Sequence, residues 1–439
     1  MKSTISLITA IAFSLIFLAA CGGSTADYLR QGDTYYDQGQ FVEAIAEYTK
    51  AIESNPNYVA AYTHRGAVYN ARAEWDLAIA DLSKAIQLDP SQADDYQNRA
   101  FAYLAKGQFD QAISDLVRTV ELNPKATLAY ANLSWLYVHK GQYDRAIEAA
   151  DKALSLDPRV YDAYFNRGTA YYAKGDTKKA LADMNAAIGI IPNLAPAHTY
   201  LGKIYIYNDN ITGAVDEFSS AINIDPDLAE AYKLRGFAYI ALKNSSNALA
   251  DLNRAIELDD SDSMAYYYRG HLNNSNQQFD QALGDFNKAI ALSPTDNATS
   301  TAFDPFRTDP GGMYLERAIA YRGKQQLTQA VADAKKAVQL EPNSATAYVT
   351  LGELLIINSQ LDDAFHAINQ AIALDPNIPE AYFNRAVAWE IMAQTSKDMS
   401  YYDQSAADLR KVLQLSKDPD MIEQANQGLR NMQSHGYID

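Results

Sequence analysis

Few residues in this chain have the type and spacing to do chemistry. Cys21 is the only cysteine, so an intramolecular disulfide is impossible. The six histidines, His64, His139, His198, His271, His366 and His435, are scattered along the chain, and none is joined by carboxylates at a zinc or calcium ligand spacing. Asp-Pro pairs such as Asp89-Pro90 and Asp157-Pro158 recur at regular intervals, which fits a repeated turn better than an acid–base dyad. The chain has no GxxxxGK[ST] phosphate loop, no GxGxxG fingerprint and no HExxH helix. An enzyme is therefore not expected, nor any cofactor. A formal charge of −17 argues against a nucleic-acid partner and against a basic membrane-binding patch. That charge suits a solvated acidic surface.

Cys21 ends an uncharged apolar run, Ile5–Ala20, preceded by Lys2. The run is shorter than the ~20 residues needed to span a bilayer and reads as a signal h-region. Its end, Leu18-Ala19-Ala20-Cys21, resembles the lipobox of bacterial lipoprotein precursors. That resemblance implies cleavage before Cys21 and acylation of the new terminus, leaving residues 1–20 as signal peptide and 21–24 as a lipidated tether. Two or more acyl chains anchor stably where one does not. The expected location is the bacterial cell envelope, facing outside the cytoplasm, with lipid as the only membrane attachment.

Beyond the tether the chain repeats itself. Units begin at Thr25, Val59, Ala93, Thr127, Tyr161, Ala195, Ala229 and Ser263, each 34 residues after the last. Three more follow interruptions, at Gly311, Ala345 and Pro379. Each unit holds two short amphipathic helical patterns. Tyr62 and Tyr69 share a face of the first helix, with Gly66 between them, and Ala78 and Ala85 mark close crossings on the second. Gly39, Gly107, Gly141 and Gly175 punctuate the turn inside a unit, and Pro56, Pro90 and Pro124 end the second helix.

This period, with these residues at fixed offsets, is similar to the tetratricopeptide (TPR) repeat, and the resemblance covers nearly everything after Cys21. It implies an all-α fold: an α-solenoid, wound as a right-handed superhelix, of about eleven helix-turn-helix repeats. Repeats 1–8 would occupy 25–296 and repeats 9–11 would occupy 311–416, separated by an inserted loop, 297–310, carrying Phe303 and Phe306. A capping helix with Ala425, Leu429 and Met432 would fill 417–439. The array is expected to weaken where Asp260 replaces a proline and Asn273 a tyrosine. A further insertion interrupts the last repeat between Gln394 and Tyr402.

In the TPR family a concave groove, lined chiefly by the second, fifth, ninth and twelfth positions of the first helices, binds protein or peptide segments. Carried onto this chain, those positions give Gln97, Phe101, Leu104, Trp135, Val138, Phe165, Thr169 and Tyr172, then Lys233, Phe237, Ile240 and Tyr267. Some of these rings could instead pack on a neighbouring repeat. The second repeat offers only Ala60, Thr63, Ala67 and Asn70, small or weakly polar, and is expected to bind little. Asn98, Asn132, Asn166 and Asn384 match the middle element of the family's carboxylate clamp. The flanking basic positions hold Thr63, Gln97, Ala131 and Phe165, so a chaperone-tail ligand is not supported. The function expected is a membrane-anchored scaffold for protein–protein interactions. The alternatives are a self-associating structural solenoid and a glycan or lipid carrier.

Overall fold

The computed structural model describes residues 23–293 and 310–438. Cys21, the expected signal peptide and the expected insertion up to Asp309 lie outside them. Among the described residues there are twenty-three helices and no strand. The chain divides into two compact units, the first ending at Pro192 and the second beginning at Asn193. The first holds five helix pairs; the second holds six and a terminal helix, Pro419–Ser434. Within each unit, helices contact only their near neighbours in the chain, as expected of a quasi-one-dimensional array.

One repeat shows why the pattern folds this way. Its first helix, Val59–Ala71, stops at Arg72 because Ala73 takes a left-handed φ of 58°. That turn lets the Glu74 N–H donate to the Tyr69 carbonyl at 2.8 Å. Gly39, Gly107, Gly141 and Gly175 hold the equivalent place in other repeats, where a side chain would cost about 1–2 kcal/mol. The second helix, Trp75–Leu88, ends at Asp89, whose backbone is extended as a residue before proline must be. The Asp89 carboxylate then accepts the Ser91 hydroxyl at 2.6 Å, the Gln92 amide at 2.7 Å and the Ser91 N–H at 3.0 Å, which together lower its pKa. The recurring Asp-Pro pairs are turns.

Each repeat is closed by matched volumes where its two helices cross. An added Cβ on Gly202 would lie 2.4 Å from the ring of Phe218, and one on Gly32 would lie 2.4 Å from that of Tyr48. Repeats with alanine in the first helix carry smaller partners: Leu116 faces Ala100 and Leu409 faces Ala386. Aromatic rings occur only opposite glycine.

The expected weakness near repeats 7 and 8 is repaired by polar contacts. Asp259 makes the same turn without a following proline, accepting the Ser261 N–H at 3.0 Å. Asn273 is buried and donates to Asp285 at 2.9 Å. Repeat 9 packs directly on repeat 8 with its first helix, Pro310–Gly323, whose Arg317 reaches Asn287 at 2.7 Å. That helix begins on the proline assigned above to the insertion, since the first turn of a helix tolerates proline. The interruption in the last repeat is absorbed by lengthening its helices to Pro379–Ser396 and Ser400–Leu415, joined through Lys397 at φ 60°. The terminal helix lays Ala425 and Met432 against Tyr402 and Leu409, covering the last apolar face.

Candidate partner-binding surface

Seven repeats contain a feature not anticipated from the sequence pattern. Arg99, on the first helix of repeat 3, donates to both oxygens of Asp115 on the second helix, each at 2.7 Å, and to Ser83 of the preceding repeat at 3.0 Å. Its guanidinium lies between the rings of Tyr96 and Tyr103, 5.8 and 5.7 Å from their centroids. Arg65, Arg167, Arg235, Arg269, Arg317 and Arg385 repeat the ion pair with Asp81, Asp183, Asp251, Asp285, Asp333 and Asp408. Arg65, Arg235 and Arg317 lie near two tyrosine rings, and Arg167, Arg269 and Arg385 near one. The repeat tyrosines thus flank a largely buried cation rather than simply lining an apolar face. Where the arginine is lost in repeats 4 and 10, the aspartate is lost with it: Leu133 meets Ala149, and Leu351 meets Ala367. Repeats 1 and 6 lose the arginine to Gln31 and Leu201 but keep a carboxylate, Glu47 and Glu217, at the same offset.

This clasp fixes the first helices, and within each unit most successive first helices also touch one another. The faces they turn away from the second helices form the inner surface of each unit. In the first unit, Gln97 lines a recess of about 440 Å³ together with Asp33, Tyr36, Asp37, Thr63, His64 and Asp94. Phe101 is 53% exposed, although its ring meets Trp75 edge-on at 5.8 Å. Trp135 is half-buried against Phe109 at 5.8 Å and His139 at 3.8 Å. Leu104 and Val138 pack against the core of repeats 3 and 4. Phe165 is half-buried, whereas Thr169 and Tyr172 are buried and leave little surface for a ligand. Asn166 donates to the Ala131 carbonyl at 3.3 Å, across to the neighbouring first helix.

In the second unit the polar groups of this surface are tied to each other. Lys233 pairs with Asp262 at 2.6 Å, Lys203 with Glu230 at 2.5 Å, and Arg322 with Glu353. Phe237 lies 5.1 Å from Tyr268; Tyr267 packs toward Phe286, and Ile240 is partly buried beside them. His198, which replaces a repeat tyrosine, pairs with Glu217 at 2.7 Å. The placed residues therefore fall into two groups, Gln97 to Tyr172 in the first unit and Lys233 to Tyr267 in the second.

His271 Nδ1 lies 3.1 Å from Glu316, across the junction of repeats 8 and 9, and Asn274 donates to the same carboxylate at 3.1 Å. The Glu316 hydrogen bond raises the His271 pKa above its ordinary 6.5, against the effect of burial. Burial would raise Glu316, but the hydrogen bonds and charge of His271, with Asn274, hold it below its ordinary 4.5. The histidine's contribution to stability is complete below its ordinary pKa and lost as pH rises through its raised value. The glutamate's is present above its ordinary pKa and lost as pH falls through its lowered one. The pair therefore stabilises most between about pH 4.5 and 6.5. His271→Gln is expected to lower the Tm more at about pH 5.5 than at about pH 8.5; equal losses would show that the imidazole acts by packing.

Among the described residues, no group of three or more His, Cys, Asp or Glu could hold a metal ion. None of the described helices is long and apolar enough to cross a membrane. The arrangement is that of a helix-pair repeat array. Sequence models of the family agree: the TPR repeat model matches residues 32–71, 68–107 and 202–243, and the tetratricopeptide repeat model matches 98–159, 133–195, 234–297 and 315–379. The chain belongs to the tetratricopeptide repeat family and is a protein-interaction scaffold of that type.

Among solved structures, MamA protein is 31% identical over 38% of this chain and 91% of its own, with a TM-score of 0.36. YrrB, described as a TPR protein with an unusual peptide-binding site, is 26% identical over 42% of this chain and 95% of its own, with a TM-score of 0.38. A tetratricopeptide repeat protein from Parabacteroides merdae is 20% identical over 54% and 94%, with a TM-score of 0.44. A comparison with curated proteins finds no match.

Proposed function

We propose that this protein is a lipid-anchored scaffold of the bacterial cell envelope that holds segments of protein partners on its first-helix surface. The binding role rests chiefly on the inner surface of the first unit. There Phe101 stays half exposed beside a polar recess, on helices fixed from behind by the arginine clasps. An exposed aromatic group on a rigid support is a low-entropy anchor for a partner. The anchoring role rests on Leu18-Ala19-Ala20-Cys21 closing an apolar run. Helix Thr25–Asp37 starts directly after Ser24, whose hydroxyl and Asp27 form a capping box. With so few residues between Cys21 and that helix, the first repeats would sit against the membrane surface.

Photo-crosslinking in intact cells tests both parts. A crosslinking residue at position 101 is expected to give discrete protein adducts in the membrane fraction, while one at Val42 on a second helix gives none. In the Cys21→Ser variant the protein should leave the membrane fraction and the detergent phase. Continued detergent partitioning would sink the lipid anchor; identical adducts from positions 101 and 42 would sink the binding surface.

A further inference from the structure

The recess on repeats 1–3 differs from the rest of the first-helix surface in its charge. No lysine or arginine lines it, and three carboxylates do: Asp33, Asp37 and Asp94. Asp33 accepts from the Tyr48 hydroxyl at 2.8 Å and lies 2.6 Å from His64. Asp37 and Asp94 are exposed and make no hydrogen bond or ion pair among the described residues. In the second unit, by contrast, Lys203, Lys233 and Arg322 are each paired with a carboxylate. A second feature lies behind the recess wall. Asp95 is wholly buried; one of its oxygens accepts from Thr63 at 2.6 Å and the other has no hydrogen-bond partner. Burial raises its pKa, and the neighbouring Asp94 adds to the effect. Asp37 and Asp94, open and unpaired, leave this corner of the molecule short of positive charge, and the Asp95 oxygen behind Thr63 adds an unmet demand for a hydrogen-bond donor.

The fold itself shows which cation suits such surroundings. In seven repeats a guanidinium is held by an aspartate and by one or two tyrosine rings, and in repeat 5 by a second aspartate, Asp151. The recess offers aspartates and the exposed ring of Tyr36 with no internal guanidinium. A metal ion suits it less, because the carboxylates and His64 do not converge on one coordination point. Its volume of about 440 Å³ lies within the range of side-chain and ligand pockets. The small side chains of Thr63 and Ala67 are what open it.

We propose that the recess of repeats 1–3 binds an arginine side chain of the partner segment, with Asp37 and Asp94 as its carboxylate ligands and Tyr36 as a stacking face. Arginine is favoured over lysine because a planar guanidinium can bond two carboxylates and stack on a ring at once. The proposal rests on the binding role argued above, and one selection experiment separates the two. A phage library of random dodecapeptides is panned against the full chain and against its Asp37→Asn/Asp94→Asn variant, both checked for unchanged helical content.

Peptides enriched in arginine are expected on the parent. Each should bind the variant about tenfold or more weaker, and lose a similar factor when its arginine becomes citrulline or lysine. Peptides that bind without arginine, that bind the variant equally well, or that accept lysine without loss would overturn the proposal and leave the binding role standing. A selection that yields no peptide would overturn both.

Discussion

Replacing Asp115 by alanine should cost this protein about 3 kcal/mol, the scale measured when one partner of a buried ion pair is removed. The loss is large because Arg99 cannot leave: it is held between two tyrosine rings, with only Ser83 left to accept from it. The double change Arg99→Leu/Asp115→Ala should recover to within about 1 kcal/mol of the parent, because a buried pair and an apolar pair of similar volume are often close in stability. The chain already contains that solution in repeats 4 and 10, as Leu133 with Ala149 and Leu351 with Ala367. Urea unfolding of the four proteins in the cycle checks this, with amide exchange in repeats 2–4 locating the effect. A double variant as unstable as the single one would mean that arginine and aspartate contribute independently.

Gly202→Ala should be the most damaging single-methyl change tested in the second unit. Its Cβ would sit 2.4 Å from a ring carbon of Phe218, which is itself fully buried and has no space to withdraw into. Overpacking of about 3 kcal/mol, offset by about 1 kcal/mol from alanine's better helix propensity, leaves a loss of about 2 kcal/mol. Adding Phe218→Leu should restore most of it, by reproducing the pair that repeat 3 makes from Ala100 and Leu116. The check is the Tm of the single and double variants. If Phe218→Leu merely adds its own loss, the helices have moved apart and the matched-volume account fails.

The step of the repeat, its tyrosines and its small crossing residues made the helix pairs legible in the sequence, because each is a local pattern renewed many times. The arginine clasp was just as periodic but went unread. Tyr62 and Tyr69 look like an apolar face two turns long, and only the side-chain geometry shows that Arg65 lies between them. The rings of Phe101 and Trp135 serve neighbouring repeats, packing on Trp75 and Phe109. Position within one repeat could not reveal that. The recess was not legible for a different reason. Thr63 and Ala67 are small within their own repeat, and the polar residues around them are drawn from three repeats.

The contacts that cross the two interruptions carry a consequence for how such a chain can change its length. Lys324 pairs with Asp280 at a separation of 44 residues, where Lys106 and Asp76 are 30 apart. Arg385 clasps Asp408 at 23, where Arg99 and Asp115 are 16 apart. The partners meet whatever length of chain runs between them, because loop-closure entropy grows only slowly with length. The turns are therefore ports at which lineages, or engineers, can splice in new sequence while the ladder behind it is inherited intact.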